Sequence, residues 1–256
     1  MQNLQPTERF STRVENYLKY RPHYPDELLA LLQQELSLTP KWEIADVGAG
    51  TGFSAELFLK NGNRVYGVEP NEAMRLAGAV YLSQYRERYL PVDGTAEETT
   101  LDTAAVDLIL AGQAFHWFDL PRTKIEWKRI LKPEGWVVLV WNERRAFGTS
   151  FLVAYEQLLH NFAPEYKNVD HRHIDASVLS KFFTVNGYRE HVLSYSQTLD
   201  WDGLVGRVLS SSYVPLPGDP LAEPLMKQLT TDFTRFSIQG TVELVYDTKV
   251  YWGKIV

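Results

Sequence analysis

Residues 43–52 read Glu-Ile-Ala-Asp-Val-Gly-Ala-Gly-Thr-Gly, and this stretch constrains the fold more than any other. Ile44 to Val47 is a short, mostly apolar run, and Gly48, Gly50 and Gly52 follow at alternate positions. Phe53, Leu57 and Phe58 then recur at helical spacing. A strand, a glycine loop and a helix in that order bring backbone N–H groups and a helix N-terminus up to a ligand. Glycine serves there because a side chain would block the approach or forbid the backbone angles. The dinucleotide fingerprint places its third glycine where this chain has Phe53. Asp46, just before the loop, suits a cationic ligand group better than a pyrophosphate.

The rest of the chain alternates strands and helices. Strands are predicted at Arg64–Val68, Tyr89–Val92, Val106–Ala111 and Trp136–Trp141, the last apolar throughout and therefore buried on both faces. Helices are predicted from Glu27 with Asp26 as cap, from Phe53, from Asn71 as cap through Ala79, and from Pro121. Lys132-Pro133-Glu134-Gly135 reads as a turn. Such alternation means a parallel α/β sheet, whose ligands sit beyond the C-terminal ends of the strands. Asp46 with the glycines, Glu69, Thr95, Gln113 to Trp117, and Asn142 to Arg145 all follow strand ends and converge on one edge. Glu69, ending the second strand, is placed to accept two ribose hydroxyls.

Residues 149–183 read as two helical pieces broken near Ala163-Pro164. A strand over 190–199 and a terminal strand over 242–256 read as an antiparallel pair, with a helical insert at about 200–241. The whole chain, 1–256, reads as a single domain. At its start, Phe10, Val14, Tyr17 and Leu18 fall near helical spacing, and Arg9, Arg13, Tyr17, Tyr20, Arg21 and Tyr24 crowd together. Two readings of residues 1–25 stand side by side: a surface helix docked by its aromatic face, or a lid over the ligand loop.

Composition excludes several classes. A net charge of −6 without a long basic run disfavours a nucleic-acid partner. With no cysteine there is no disulfide, zinc-thiolate site or thiol nucleophile. No apolar run approaches the roughly 18 residues of a membrane span, and Met1 to Arg9 is too polar for a signal peptide, so no membrane partner and a cytoplasmic location are expected. His171 and His173 alternate in a polar loop without a third ligand at helical spacing, so no metal is expected. Oligomeric state is not set by the sequence.

Asp46-Val47-Gly48-Ala49-Gly50-Thr51-Gly52, Glu69-Pro70, Gly94-Thr95-Ala96-Glu97 and Leu131-Lys132-Pro133-Glu134-Gly135 resemble the ordered motifs of class I S-adenosylmethionine-dependent methyltransferases. Tyr20-Arg21-Pro22-His23-Tyr24-Pro25 and Ala114-Phe115-His116-Trp117-Phe118-Asp119 resemble a narrower group, the trans-aconitate-methyltransferase-like (methyltransferase type 11) proteins. The resemblance implies a Rossmann-like fold, a seven-stranded mostly parallel sheet with its last strand antiparallel and helices on both faces. It implies S-adenosylmethionine as cofactor, with Glu69 on the ribose hydroxyls and Gly48, Ala49, Gly50 and Gly52 wrapping the methionine part and sugar. Asp46 is then expected near the methionine ammonium, Thr95 and Ala96 at the adenine edge, and Gln113 beside the methionine moiety. Many relatives carry aspartate where this chain has Thr95. Tyr17 and Arg21 are expected to close over the cofactor from the N-terminal segment.

A sulfonium donor requires mainly alignment of nucleophile, methyl carbon and sulfur, and exclusion of water. His116 is the best-placed candidate base, with a structural hydrogen-bonder in an aromatic wall as the other reading. Trp117 and Trp141 are expected to pack the substrate pocket. Arg144 and Arg145 either anchor an acidic substrate or face water. The expected activity is methylation of a small molecule, on oxygen of an acidic metabolite. A nicotinamide-dependent oxidoreductase and a non-catalytic cofactor-binding regulator are the alternatives.

Overall fold

A computed structural model describes residues 18–168, 176–184 and 187–255. Tyr17 and the His171–His173 loop lie outside the described residues. In chain order the elements are α1 (Glu27–Leu36), β1 (Glu43–Val47), α2 (Phe53–Asn61), β2 (Arg64–Val68), α3 (Glu72–Tyr81), β3 (Tyr89–Val92), β4 (Val106–Gly112), α4 (Leu120–Ile130) and β5 (Leu131–Arg144). They continue with α5 (Ser150–Phe162), α6 (Ala176–Phe182), β6 (Tyr188–Leu199), α7 (Trp201–Leu209), α8 (Ala222–Phe236) and β7 (Val242–Gly253).

The strands form one seven-stranded sheet in the order β3-β2-β1-β4-β5-β7-β6. β1 to β5 pair in parallel, and β7 runs antiparallel to both β5 and β6. Six strands thus share a direction and the last is reversed. The expected late antiparallel pair is β6 with β7, and α7 and α8 lie between them in sequence.

Strand alternation divides the core between the two faces of the sheet. Ile44, Leu108, Leu110, Val138 and Val140 pack with Leu28, Leu32 and Phe58 on one face. Ala45, Val47, Ile109, Ala111, Leu139 and Trp141 pack with Phe115, Trp127, Ile130 and Phe182 on the other. A third core lies among α5, α7 and α8, where Tyr155, Leu159, Leu204, Val208 and Leu229 meet Leu199, Leu244 and Tyr246 of the reversed strand pair. Each such side chain taken from water contributes roughly 1.5–3 kcal/mol against the cost of ordering the chain.

Helix starts follow the capping chemistry of the sequence. The Asn71 side chain accepts from the Met74 amide, Asp119 from Arg122, Thr149 from Leu152 and Asp200 from Gly203. Asp26 departs from expectation: it has helical backbone angles and makes no side-chain cap. The Lys132–Gly135 turn is also not a break between α4 and the strand. β5 begins at Leu131, which pairs with Val106, while Trp136 pairs with Leu108. The four residues between are looped out as an irregularity within one strand.

Candidate active site

The glycine loop leaves β1 with Gly48, Gly50 and Gly52 at φ of 71°, 56° and 84°. Only glycine takes these angles without strain. Space forbids a side chain as well: a Cβ on Gly48 would lie 2.5 Å from the Ala114 methyl. The Gly48 and Ala49 amides donate to the Val68 carbonyl, which ties the loop to the end of β2. The Gly50 amide donates to Glu69 Oε2 and the Asn71 amide to Oε1, both at 2.9 Å. Each carboxylate oxygen keeps acceptor capacity for a second donor. Burial raises the Glu69 pKa against these amides and the nearby Arg75.

Asp46 is fully buried at the end of β1. Its Oδ2 accepts from Ser54 Oγ at 2.7 Å, and its Oδ1 has no hydrogen-bond partner. Burial pushes its pKa up to about 7, partly offset by Ser54 and the Ala55 amide and reinforced by the charge of Glu69. A buried carboxyl with an idle oxygen beside a glycine cradle is suited to a cationic ligand group.

A cavity of about 460 Å³ runs from this loop along the strand ends. Gly48 to Thr51, Phe53 and Ser54 line one end. Gln113, His116, Trp117 and Asn142 line its middle, and Arg144, Glu156, Tyr166, Arg207, Tyr213 and Tyr246 line the other end. Gln113 has φ of 58°, donates its side-chain amide to the Asn142 carbonyl at 3.1 Å, and leaves Oε1 unpartnered. The His116 and Trp117 rings lie 4.7 Å apart, and Trp117 is 43% exposed at the rim.

The N-terminal segment crosses the same cavity. Arg21, Pro22 and Tyr24 line it. Arg21 donates to the Ser210 carbonyl at 2.9 Å, Gln197 to the Tyr20 carbonyl at 3.0 Å, and Asn142 to the His23 carbonyl at 3.1 Å. Tyr24 packs on Gly112, whose absent Cβ leaves room for the phenol.

Not every expected residue meets the cavity. Asp46 and Glu69 lie directly behind the loop rather than in the cavity wall, with Ser54 lining where Asp46 does not. Thr95 is exposed and turns back to accept from the Glu98 amide, while Ala96 is buried with Val68 and Ile109. Trp141 is a correction. It is 3% exposed in the core, edge-on to Phe115 and Tyr251, and is no part of the cavity wall. β5 continues three residues past it, so Trp141 is mid-strand, on the face opposite Asn142. Arg144 and Arg145 both reach the cavity, but each is already ion-paired, Arg144 with Glu156 and Arg145 with Asp247. Arg207, Tyr213 and Tyr246 were not foreseen. Arg207 did leave a signal, as a lone cation in the apolar stripe of Leu204 and Val208.

Among the described residues no cluster of side chains suited to a metal ion occurs, and no helix is long and apolar enough to cross a membrane.

A seven-stranded sheet of this order, with a glycine loop after β1 and an acid after β2, defines the Rossmann-like class I methyltransferase fold. Residues 45–139 match the family model described as Methyltransferase domain. An uncharacterized methyltransferase of Mycobacterium tuberculosis is 36% identical over 135 residues, 53% of this chain and 52% of that protein. One from Schizosaccharomyces pombe is 32% identical over 139 residues, 53% of each. The chain thus spans about half the length of these curated relatives. A solved structure described as a type II methyltransferase from Anaeromyxobacter dehalogenans superposes with a TM-score of 0.66 at 24% identity, covering 93% of this chain and 99% of that one. The fold is thus that of the class I methyltransferases, and residues 45–139 of the chain match a methyltransferase domain.

Proposed function

We propose that the protein binds S-adenosylmethionine at the glycine loop and transfers its methyl group to an oxygen of a small acidic molecule. The observation that carries this reading is one cavity with a glycine cradle backed by the buried Asp46 and the half-buried Glu69 at one end and an arginine-lined wall at the other. Donor and acceptor then occupy the two ends of one space.

When bound, S-adenosylmethionine would supply a sulfonium methyl for displacement by the acceptor oxygen, its sulfur keeping the C–S pair as a neutral thioether. The residues of this chain have the tasks of binding, orientation and exclusion of water. Glu69 holds the ribose hydroxyls on the capacity its oxygens retain. Asp46 stabilises the methionine ammonium, with Ser54 as the group that meets the cavity. Gln113, locked by its bond to Asn142, presents its idle Oε1 beside the methionine part. Thr95 and Ala96 flank the adenine edge. Arg21 and the rest of residues 18–25 cover the middle of the cavity and keep water out. Holding two reactants aligned in this way supplies on the order of 7–11 kcal/mol of rate acceleration.

An acidic oxygen with a pKa of about 4 is already ionised at neutral pH and needs no base. His116 on this reading shapes the wall with Trp117 and takes no proton. Calorimetric titration with S-adenosylmethionine and, separately, with NADH tests the cofactor. Saturable binding of the first alone supports the reading, and binding of NADH alone overturns it. A screen of acids, amines and phenols with radiolabelled donor then tests the acceptor: methylation of amines alone would sink the acidic-oxygen part.

A further inference from the structure

The far wall of the cavity carries a guanidinium that no carboxylate among the described residues pairs. Arg207 is 5% exposed, on the face of α7 that enters the third core. Its Nε donates to the Tyr246 hydroxyl at 3.1 Å and its Nη1 to Ser211 Oγ at 3.0 Å. Both acceptors are neutral hydroxyls. Among the described residues no carboxylate lies within ion-pair distance of Arg207, and its Nη2 has no hydrogen-bond partner. The cations on and just after β5 and on β7 that line the cavity each have an acid: Arg144 has Glu156, Arg145 has Asp247, and Lys249 has Glu143.

A guanidinium does not shed its proton to relieve burial. Held without a counter-charge it is costly, and an anion seated against Nη2 offsets that cost. Two groups can be that anion, a ligand or the phenol of Tyr213. Burial pushes the Tyr213 phenol up, but Arg207, Arg21 and Arg144 around it bring it below the ordinary tyrosine range.

Position separates Arg207 from the methyl-donor end. Its partner Tyr246 sits on β7 opposite Arg144, while Gln113 follows β4. Two strand spacings lie between, roughly 10 Å in all. An anion on Nη2 is therefore a different group from an oxygen that meets the donor beside Gln113.

We propose that Arg207, and not Arg144, is the specificity-determining residue for the acceptor: it anchors a carboxylate remote from the atom that is methylated. Arg144 is spent on Glu156 and on the ring of Tyr155, 4.7 Å away, and serves to build the wall. This rests on the methyltransferase reading above, because only a bound donor makes the two ends unequal.

The test begins with S-adenosylhomocysteine binding by calorimetry to wild type, Arg207→Met and Arg207→Lys. Failure of wild type to bind overturns the methyltransferase reading itself. With the product bound, straight-chain dicarboxylates from succinate to suberate and their monoamides are titrated. One dicarboxylate is expected to bind wild type and lose roughly tenfold to a hundredfold in affinity to Arg207→Met. Arg207→Lys should restore part of it, because the charge remains and the fork is lost. In turnover the same variants should raise KM with kcat within about twofold, since the anchor holds ground and transition states alike. Product binding without any carboxylate binding, or equal carboxylate affinity in wild type and Arg207→Met, overturns the anchor and leaves the methyltransferase reading intact. A tyrosinate absorbance at neutral pH that vanishes in Tyr213→Phe also overturns it, because the counter-charge is then internal. If Arg207→Met does not fold, the lysine variant and Tyr246→Phe, which frees Nε, carry the comparison.

Discussion

The two ends of the cavity are mirror images in charge. Behind the glycine loop the groups are acids, Asp46 buried with one idle oxygen and Glu69 half-buried and held by two amides. Against α7 the buried group is a guanidinium with hydroxyls for partners. Each end lacks the charge that its proposed ligand brings, an ammonium at one and a carboxylate at the other. On the proposed function, the two ends would separate two ligands by sign before shape is considered. In the interior such unpaired charges are costly, so each end is a place where stability is given up for recognition.

Breaking the acid end should have the largest effect. Glu69→Ala removes two charge-assisted contacts to the ribose and frees the Gly50 amide, so S-adenosylmethionine affinity should fall by about a hundredfold or more. Unchanged affinity in calorimetry would remove Glu69 from the site. Next in size is a lesion where α7 meets the N-terminal segment. A Cβ on Gly206 would lie 2.1 Å from the Tyr20 ring, so Gly206→Ala should cost about 1–3 kcal/mol of stability, read in thermal unfolding, while cofactor affinity in the folded protein holds. Equal damage to both functions would mean that the two ends are not separable.

Asp46 sharpens the contrast through pH. Its carboxyl titrates near 7 when folded against 3.8 ordinarily, so the folded chain binds the extra proton between those values. Stability of the unliganded protein should therefore fall as pH rises from 3.8 to about 7, and Asp46→Asn should flatten that slope. A cationic ligand favours the ionised form, so binding near pH 7 should release up to one proton. Calorimetry in buffers of different ionisation heat reads this directly, and no buffer dependence would count against Asp46 as the ammonium's partner. The smallest effect is expected at His116. With an acidic acceptor, His116→Asn should lower kcat by less than about tenfold and leave its pH profile flat through the histidine range. Loss of a pH-dependent limb in the variant would restore the base.

The two ends also differ in how much of them a sequence discloses. The loop, the following helix and Glu69 sit within one βαβ unit, where glycine spacing and strand ends are local signals. The α7 end gathers Arg144, Glu156, Arg207, Tyr213 and Tyr246 from elements far apart in the chain, and no local pattern joins them. Trp141 was misplaced because β5 is apolar on both faces and its alternation is silent until Asn142. The motif at 131–135 was visible but not its geometry, since a proline-glycine turn and a looped-out irregularity inside a strand use the same residues. The reversed strand pair was legible, because β7 alternates along its length with one face in the core.

Gly206 joins two segments that lie far apart in the chain. The ring of Tyr20 rests on it, and Arg21 and Gln197 lock the same contact from both sides. The segment ahead of β1 and the segment after β6 are one physical unit encoded far apart in the chain. Residues 45–139, the part shared as a recognised domain, contain neither. If the proposed acceptor site is right, transplanting its preference would require moving both flanks together, because either alone would break the Tyr20–Gly206 contact.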